Sequence, residues 1–136
     1  MIYYVDGSTS QAGNYIVVTD NLGNVLLFKK INTKNGLTNN ETEYMAIIEG
    51  LQMAEMGSTI FSDSKICVEQ IAGNYKIKEE HLKTYQKKAF DISKNKKIKI
   101  IWVERESNLA GYHLEKFIKT NARKRYRKTK VIKKEK

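Results

Sequence analysis

Three short apolar runs open the chain. Met1 to Thr9 is dense in β-forming side chains, Asn14 to Asp20 carries Tyr-Ile-Val-Val-Thr, and Asn24 to Asn32 carries Val-Leu-Leu-Phe. Runs of this length bounded by turn residues predict strands. The stretch Asp20-Asn21-Leu22-Gly23-Asn24 supplies turn chemistry between the second and third, so an antiparallel meander is expected first. From Thr38 to Met56 the period changes. Tyr44, Ile47, Ile48 and Leu51 recur at helical spacing, and Thr38 with Glu41 three residues on makes a capping box. A strand over Thr59 to Ser62 follows Gly57 and leads into a helix at Ser64, with Cys67, Val68 and Ile71 on one side and Gly73 at its end. Residues 79 to 94 read as a helix through Leu82, Tyr85, Ala89 and Phe90, Ile98 to Val103 as a strand, and a last helix begins at about Asn108. Helices that alternate with the later strands imply an α/β fold on a mixed sheet, with parallel members and right-handed crossovers.

With 136 residues, 40% of them apolar, no proline and no internal repeat, the chain fits one domain over residues 1–120 followed by a basic tail over 121–136. The single Cys67 and the lack of a secretory leader pattern argue against a disulfide framework and for a reducing cytoplasm. No apolar run is long enough to span a membrane, and a soluble monomer is expected. The net charge of +10 is unevenly placed: ten basic side chains and one acid lie between Lys119 and Lys136, while the first 118 residues carry fifteen basic and fourteen acidic groups. Such a tail suits attraction to nucleic-acid phosphate. A solvated terminus, anionic lipid or an acidic protein partner would fit the same charge.

Three acids stand at the ends of elements. Asp6 interrupts apolar β-formers in the first strand, Asp63 closes the fourth, and Glu43 lies in the first turns of the long helix just before Tyr44. If the first and fourth strands are neighbours and the helix packs across them, the three carboxylates converge, and a divalent ion would remove their repulsion. A purely structural account makes Asp63 a helix cap and Glu43 a favourable first-turn charge. It leaves an acid inside a strand without a role.

Asp6-Gly7-Ser8, then Thr38-Asn39-Asn40-Glu41-Thr42-Glu43-Tyr44, then Asp63-Ser64 resemble, in order, the first three signature blocks of the type 1 ribonuclease H family over residues 1 to 118. The resemblance implies a five-stranded mixed sheet, three strands antiparallel and the rest parallel, with helices on both faces. It implies hydrolysis of the RNA strand of RNA/DNA hybrids with two Mg²⁺ ions about 4 Å apart, Mn²⁺ being the other candidate. Asp6 would bridge both ions, with Glu43 and Asp63 completing the site near the leaving group. Thr38 and Asn40 would meet DNA phosphate, while Asn39 and the backbone of Gly7, Ser8 and Thr9 would sense RNA 2′-hydroxyls. Thr38 and Asn39 also suit helix capping.

The fourth block departs from the family's Asn-x-x-Ala-Asp: this chain reads Asn108-Leu109-Ala110-Gly111. Glu115, one helical turn further on, can reach back as a replacement ligand, or can pair on the surface with Lys116 or Lys119. His113, His81 and Glu106 are weaker candidates, and Arg105 suits a phosphate contact. Trp102 and Tyr112 read as packing residues, and the run from Lys94 to Lys99 as a solvated turn. Two functions follow: a hybrid endonuclease using Asp6, Glu43, Asp63 and Glu115, or a catalytically impaired nucleic-acid binding module of the same fold.

Overall fold

The computed structural model describes residues 1–11, 13–33 and 36–120. The opening runs form β1 (Ile2–Ser10), β2 (Gly13–Asp20) and β3 (Val25–Ile31). There follow α1 (Asn39–Met53), β4 (Thr59–Ser62), α2 (Lys65–Ala72), α3 (Glu80–Lys96), β5 (Lys99–Trp102) and a 3-10 turn over Arg105–Ser107. A last helix, α4, covers 109–120. The basic tail expected over 121–136 lies outside the described residues. No helix among them is long and apolar enough to cross a membrane.

The five strands form one sheet in the order β3-β2-β1-β4-β5. β1 pairs antiparallel with β2, and β2 antiparallel with β3, while β1 with β4 and β4 with β5 run parallel. The meander and the mixed sheet are thus as the pattern implied. Strand alternation divides the core between two faces. Tyr3, Val5, Ile16, Val18 and Ile60 pack with α1 and α3 in the larger cluster. Tyr15 and Val17 face the other way, against Ala110 and Leu114 of α4. The same parity turns Asp6 toward the α4 side and Gly7 toward α1.

Two glycines let α1 lie directly on β1. A Cβ at Gly7 would stand 2.4 Å from the Thr42 carbonyl oxygen, and one at Gly50 would stand 2.7 Å from Val5 Cγ1. The helix start is fixed by the expected capping box: Thr38 Oγ1 accepts from the Glu41 N–H at 3.2 Å, and Glu41 Oε1 accepts from the Thr38 N–H at 3.0 Å. Its end falls at Met53, earlier than the expected Met56. Ala54 turns the chain to an extended conformation, and Lys96 Nζ donates to the carbonyls of Leu51, Gln52 and Ala54 at 3.0, 2.8 and 3.2 Å. An ammonium there satisfies orphan carbonyls and complements the negative end of the helix. The reading of Trp102 and Tyr112 as packing residues is corrected: they are 39% and 63% exposed. Trp102 ends β5, a four-residue edge strand, and among the described residues no further strand flanks it.

Gly7→Ala sets a methyl against backbone that cannot step aside, and the expected cost is about 2–3 kcal/mol, at the upper end of overpacking penalties. Urea unfolding of the two proteins measures it. Equal stability would mean that α1 is free to move away from β1.

Candidate metal centre

Val5 pairs with Ser62 across the parallel β1–β4 contact. Each strand therefore delivers its next residue, Asp6 and Asp63, to the same end of the sheet. The Ser62 hydroxyl accepts from the Ser64 N–H at 3.1 Å and turns the chain out of β4, and Ser64 caps α2 by accepting from the Cys67 N–H. Asp63 is thereby left without the capping role open to it in the sequence. The contact at Gly7 brings α1 close enough for Glu43, its fifth residue, to join the pair. One carboxylate oxygen from each of Asp6, Glu43 and Asp63 lies within 4.8 Å of the others.

Asp6 and Glu43 are 8% and 6% exposed. Burial, then the charge of Asp63, pushes the Asp6 carboxyl up to about 7, against the opposing pull of a hydrogen bond with Glu43, the Arg105 guanidinium and the Gly7 N–H. Burial, then the charges of Asp6 and Asp63, raises Glu43 well above the usual carboxylate range. Glu43 Oε2 is buried without a hydrogen-bond partner. Converging oxygens, mutual repulsion and an unsatisfied buried acceptor are what an oxygen-liganded divalent ion would resolve, so this donor set fits Mg²⁺ or Mn²⁺.

Asn108, 2% exposed, locks the cluster from behind. Its Nδ2 donates to the Val5 carbonyl at 2.9 Å and to Asp63 Oδ2 at 3.0 Å, and its Oδ1 accepts from the Ala110 N–H at 3.1 Å. One amide thus joins β1, the end of β4 and the start of α4. The two long-range contacts carry no local signal in the sequence.

A cleft of about 610 Å³ opens over the acids. Of the residues expected to bind substrate, Gly7, Ser8, Asn39, Asn40 and Arg105 line it. Thr9 and Thr38 are exposed and do not line it: Thr9 Oγ1 lies 2.7 Å from Thr42 Oγ1, the Thr9 N–H meets Asn39 Oδ1 at 3.4 Å, and Thr38 caps α1. Gly111 faces the centre. A Cβ there would stand 3.3 Å from Asp6 Oδ2 and 3.5 Å from Asp63 Oδ2. Glu115 lines the same cleft, outside the group of three converging acids, and pairs with Lys119 at 3.2 Å. His113 Nε2 lies 2.7 Å from the Gly23 carbonyl and braces the β2–β3 turn, while His81 sits near Glu41 and Glu79. Glu106 is in the exposed 3-10 turn.

The fold and the acid cluster at the end of its central strand define a ribonuclease H-like domain. A family described as reverse transcriptase-like matches residues 4–117, and the chain belongs to it. Among solved structures the chain is similar to LC11-RNase H1, isolated from compost by a metagenomic approach, at 29% identity and a TM-score of 0.65, over 83% of this chain and 90% of that one. The same enzyme in complex with an RNA/DNA hybrid matches at 28% identity and 0.60, over 79% and 87%. The N-terminal RNase H domain of a Mycobacterium tuberculosis protein matches at 25% and 0.64, over 88% and 96%.

Because burial and mutual repulsion push the Asp6 carboxyl up to about 7 and raise Glu43 as well, the folded chain holds protons between the ordinary carboxylate range and those raised values that the unfolded chain releases. Metal-free stability therefore falls as pH rises through that window, with the full penalty above it. Thermal unfolding in chelator is expected to show this decline, and Asp6→Asn is expected to make it shallower, with buried Glu43 supplying what remains, and to stabilise the metal-free protein by roughly 1–3 kcal/mol above neutral pH. Mg²⁺ should stabilise the unsubstituted protein more at high pH than at low, since binding releases protons. A metal-free profile that rises with pH, or an Asn variant that follows the unsubstituted protein, contradicts this electrostatic account.

Proposed function

We propose that this chain is an endonuclease that hydrolyses the RNA strand of RNA/DNA hybrids with divalent metal. The carrying observation is the convergence of Asp6, Glu43 and Asp63, with an unsatisfied buried Glu43 oxygen, at the cleft of a ribonuclease H-like fold. The hybrid bound by the similar compost enzyme supports the choice of substrate. Asp6, Glu43 and Asp63 would hold the metal. Mg²⁺ or Mn²⁺ bound there would supply an acidified water and would neutralise charge on the phosphate.

The remaining work belongs to the chain's own groups. Asn39 and the backbone of Gly7, Ser8 and Thr9 are suited to test for a 2′-hydroxyl, since an amide and main-chain groups can donate and accept to it. Asn40 and Arg105, which line the cleft, would meet phosphate, and Thr38, exposed at the start of α1, is the further candidate. Glu115 takes the part of the absent fourth carboxylate by leaving Lys119 and reaching one turn back over Gly111, which has no side chain to obstruct it.

A second reading, a binding module without turnover, is favoured by one feature: position 111 carries no acid although its Cβ direction points at Asp6 and Asp63.

Cleavage of a labelled hybrid in Mg²⁺ or Mn²⁺, with duplex DNA and duplex RNA as controls, decides between the two. Asp6→Asn and Glu115→Gln are each expected to reduce the rate by about 100-fold or more, and Gly111→Asp is expected to restore much of what Glu115→Gln removes. Loss in Asp6→Asn alone would leave the enzyme and dismiss Glu115. Binding without cleavage by the unsubstituted protein would favour the module. Deleting residues 121–136 is expected to weaken hybrid binding and flatten its salt dependence while leaving the rate at saturation unchanged. An unaltered salt slope would assign the tail to another partner.

A further inference from the structure

Lys65, the first residue of α2, is exposed and lines the same cleft as Asp6, Glu43 and Asp63. A lysine two positions after one of three crowded carboxylates has every electrostatic reason to fold onto them, and an ammonium seated there would occupy the place of a divalent cation. It does not do so. Among the described residues Lys65 makes no ion pair. Its Nζ rests instead 5.6 Å from the centroid of the Trp102 ring.

The other cations of the cleft are engaged differently. Lys119 pairs with Glu115, and Arg105 lies near enough to pull on the Asp6 carboxyl. Trp102 is itself held in place: its Nε1–H donates to the Asp63 main-chain carbonyl at 3.2 Å, and its backbone pairs in register with Ser62. An indole face is the strongest of the aromatic seats for an ammonium. The ring therefore offers Lys65 a resting place at the rim, beside Asp63 and clear of the carboxylates.

We infer that Trp102 holds Lys65 off the acid cluster and presents it to a phosphate of the bound nucleic acid. The site keeps its affinity for metal and gains a cation for the strand passing Asp63. The phosphate half rests on the hybrid-cleaving reading; the metal half does not.

The metal half is tested with Mn²⁺ alone, by calorimetric titration of the full chain. Trp102→Ala should weaken Mn²⁺ binding about 3- to 10-fold, because Lys65 falls onto the carboxylates. Lys65→Ala should not weaken it, and the double variant should return to the affinity of Lys65→Ala. Trp102→Phe keeps a ring without the indole N–H and should stay within about twofold of the unsubstituted protein. Equal weakness of Trp102→Ala and the double variant, or weakness in Trp102→Phe matching Trp102→Ala, would mean that the indole acts only through the Asp63 carbonyl and would overturn the tether. No effect of Trp102→Ala would overturn it as well.

The phosphate half is tested by hybrid affinity across a salt series, in the Asp6→Asn background with Mg²⁺ so that the substrate survives. Lys65→Ala should lower the slope of log affinity against log salt by about 0.9, the value for one phosphate contact, and Lys65→Arg should keep it. An unchanged slope in Lys65→Ala overturns this half. If the parent binds no hybrid, the functional reading fails and takes the phosphate contact with it, while the Mn²⁺ comparison still decides the tether.

Discussion

The close approach of α1 to β1 is the constraint on which the rest of this molecule depends. Glu43 belongs to a helix and Asp6 to a strand, and their carboxylates meet where the two backbones come into contact at Gly7. Gly7 removes the atom that would hold the two backbones apart, and Gly50 does the same two turns further along the helix. Other features follow from that contact. The capping box fixes where α1 begins, and hence which of its residues faces β1 at Gly7. Thr9, Thr42 and Asn39 fasten the end of β1 to the helix start, so the groups that line the cleft stand on rigid elements.

Having brought the acids together, the fold does little to neutralise them. The partners are the Asn108 amide on Asp63, the nearby Arg105 on Asp6, the Gly7 N–H beside Asp6 and Glu43, and the hydrogen bond between those two carboxyls. These are too few for three carboxylates, two of them buried, and Glu43 Oε2 is left without any. Burial of an unpaired carboxylate is among the larger unfavourable contributions a fold can carry. It is borne here by a core on both sheet faces, one packed beneath α1 and α3 and one beneath α4. A divalent ion held there would release that internal repulsion, and its binding would add to the stability of the fold.

The parts of this arrangement legible in the sequence are those that depend on near neighbours in the chain. Strand alternation, the helical spacing of Tyr44, Ile47, Ile48 and Leu51, the Thr38–Glu41 cap and the Gly73 stop each act within a few residues, and each stands in the structure where its pattern put it. Asp6, Glu43 and Asp63 were legible because each breaks or ends such a pattern. What escaped depends on distant partners. Asn108 holds Val5 across 103 residues, Lys96 closes α1 from 42 to 45 residues away, and His113 reaches Gly23 across 90. Trp102 escaped because exposure at an edge strand follows from sheet order, which no single run of residues encodes.

Position 111 is where the chain's own chemistry parts from the pattern it resembles, and the replacement proposed for it, Glu115, would come at small energetic cost. Its pair with Lys119 joins two exposed side chains, an arrangement worth roughly 0–1 kcal/mol. Breaking it costs little beside the attraction of a fourth carboxylate to a divalent ion in a partly desolvated cleft. The backbone offers the path: Glu115 is one turn beyond Gly111, helical side chains lean toward the N-terminus, and nothing projects from Gly111 to block the approach. A metal-free conformation with Glu115 resting on Lys119 is therefore what a carboxylate recruited only by metal would show. Its departure would also free Lys119, which lines the same cleft, for the phosphate that arrives with the substrate. An aspartate at 111 would stand permanently against Asp6 and Asp63 and add to the repulsion that Glu43 and Asp6 already carry. On the proposed reading, an acid one turn away keeps its charge outside the cluster until a cation is present to receive it.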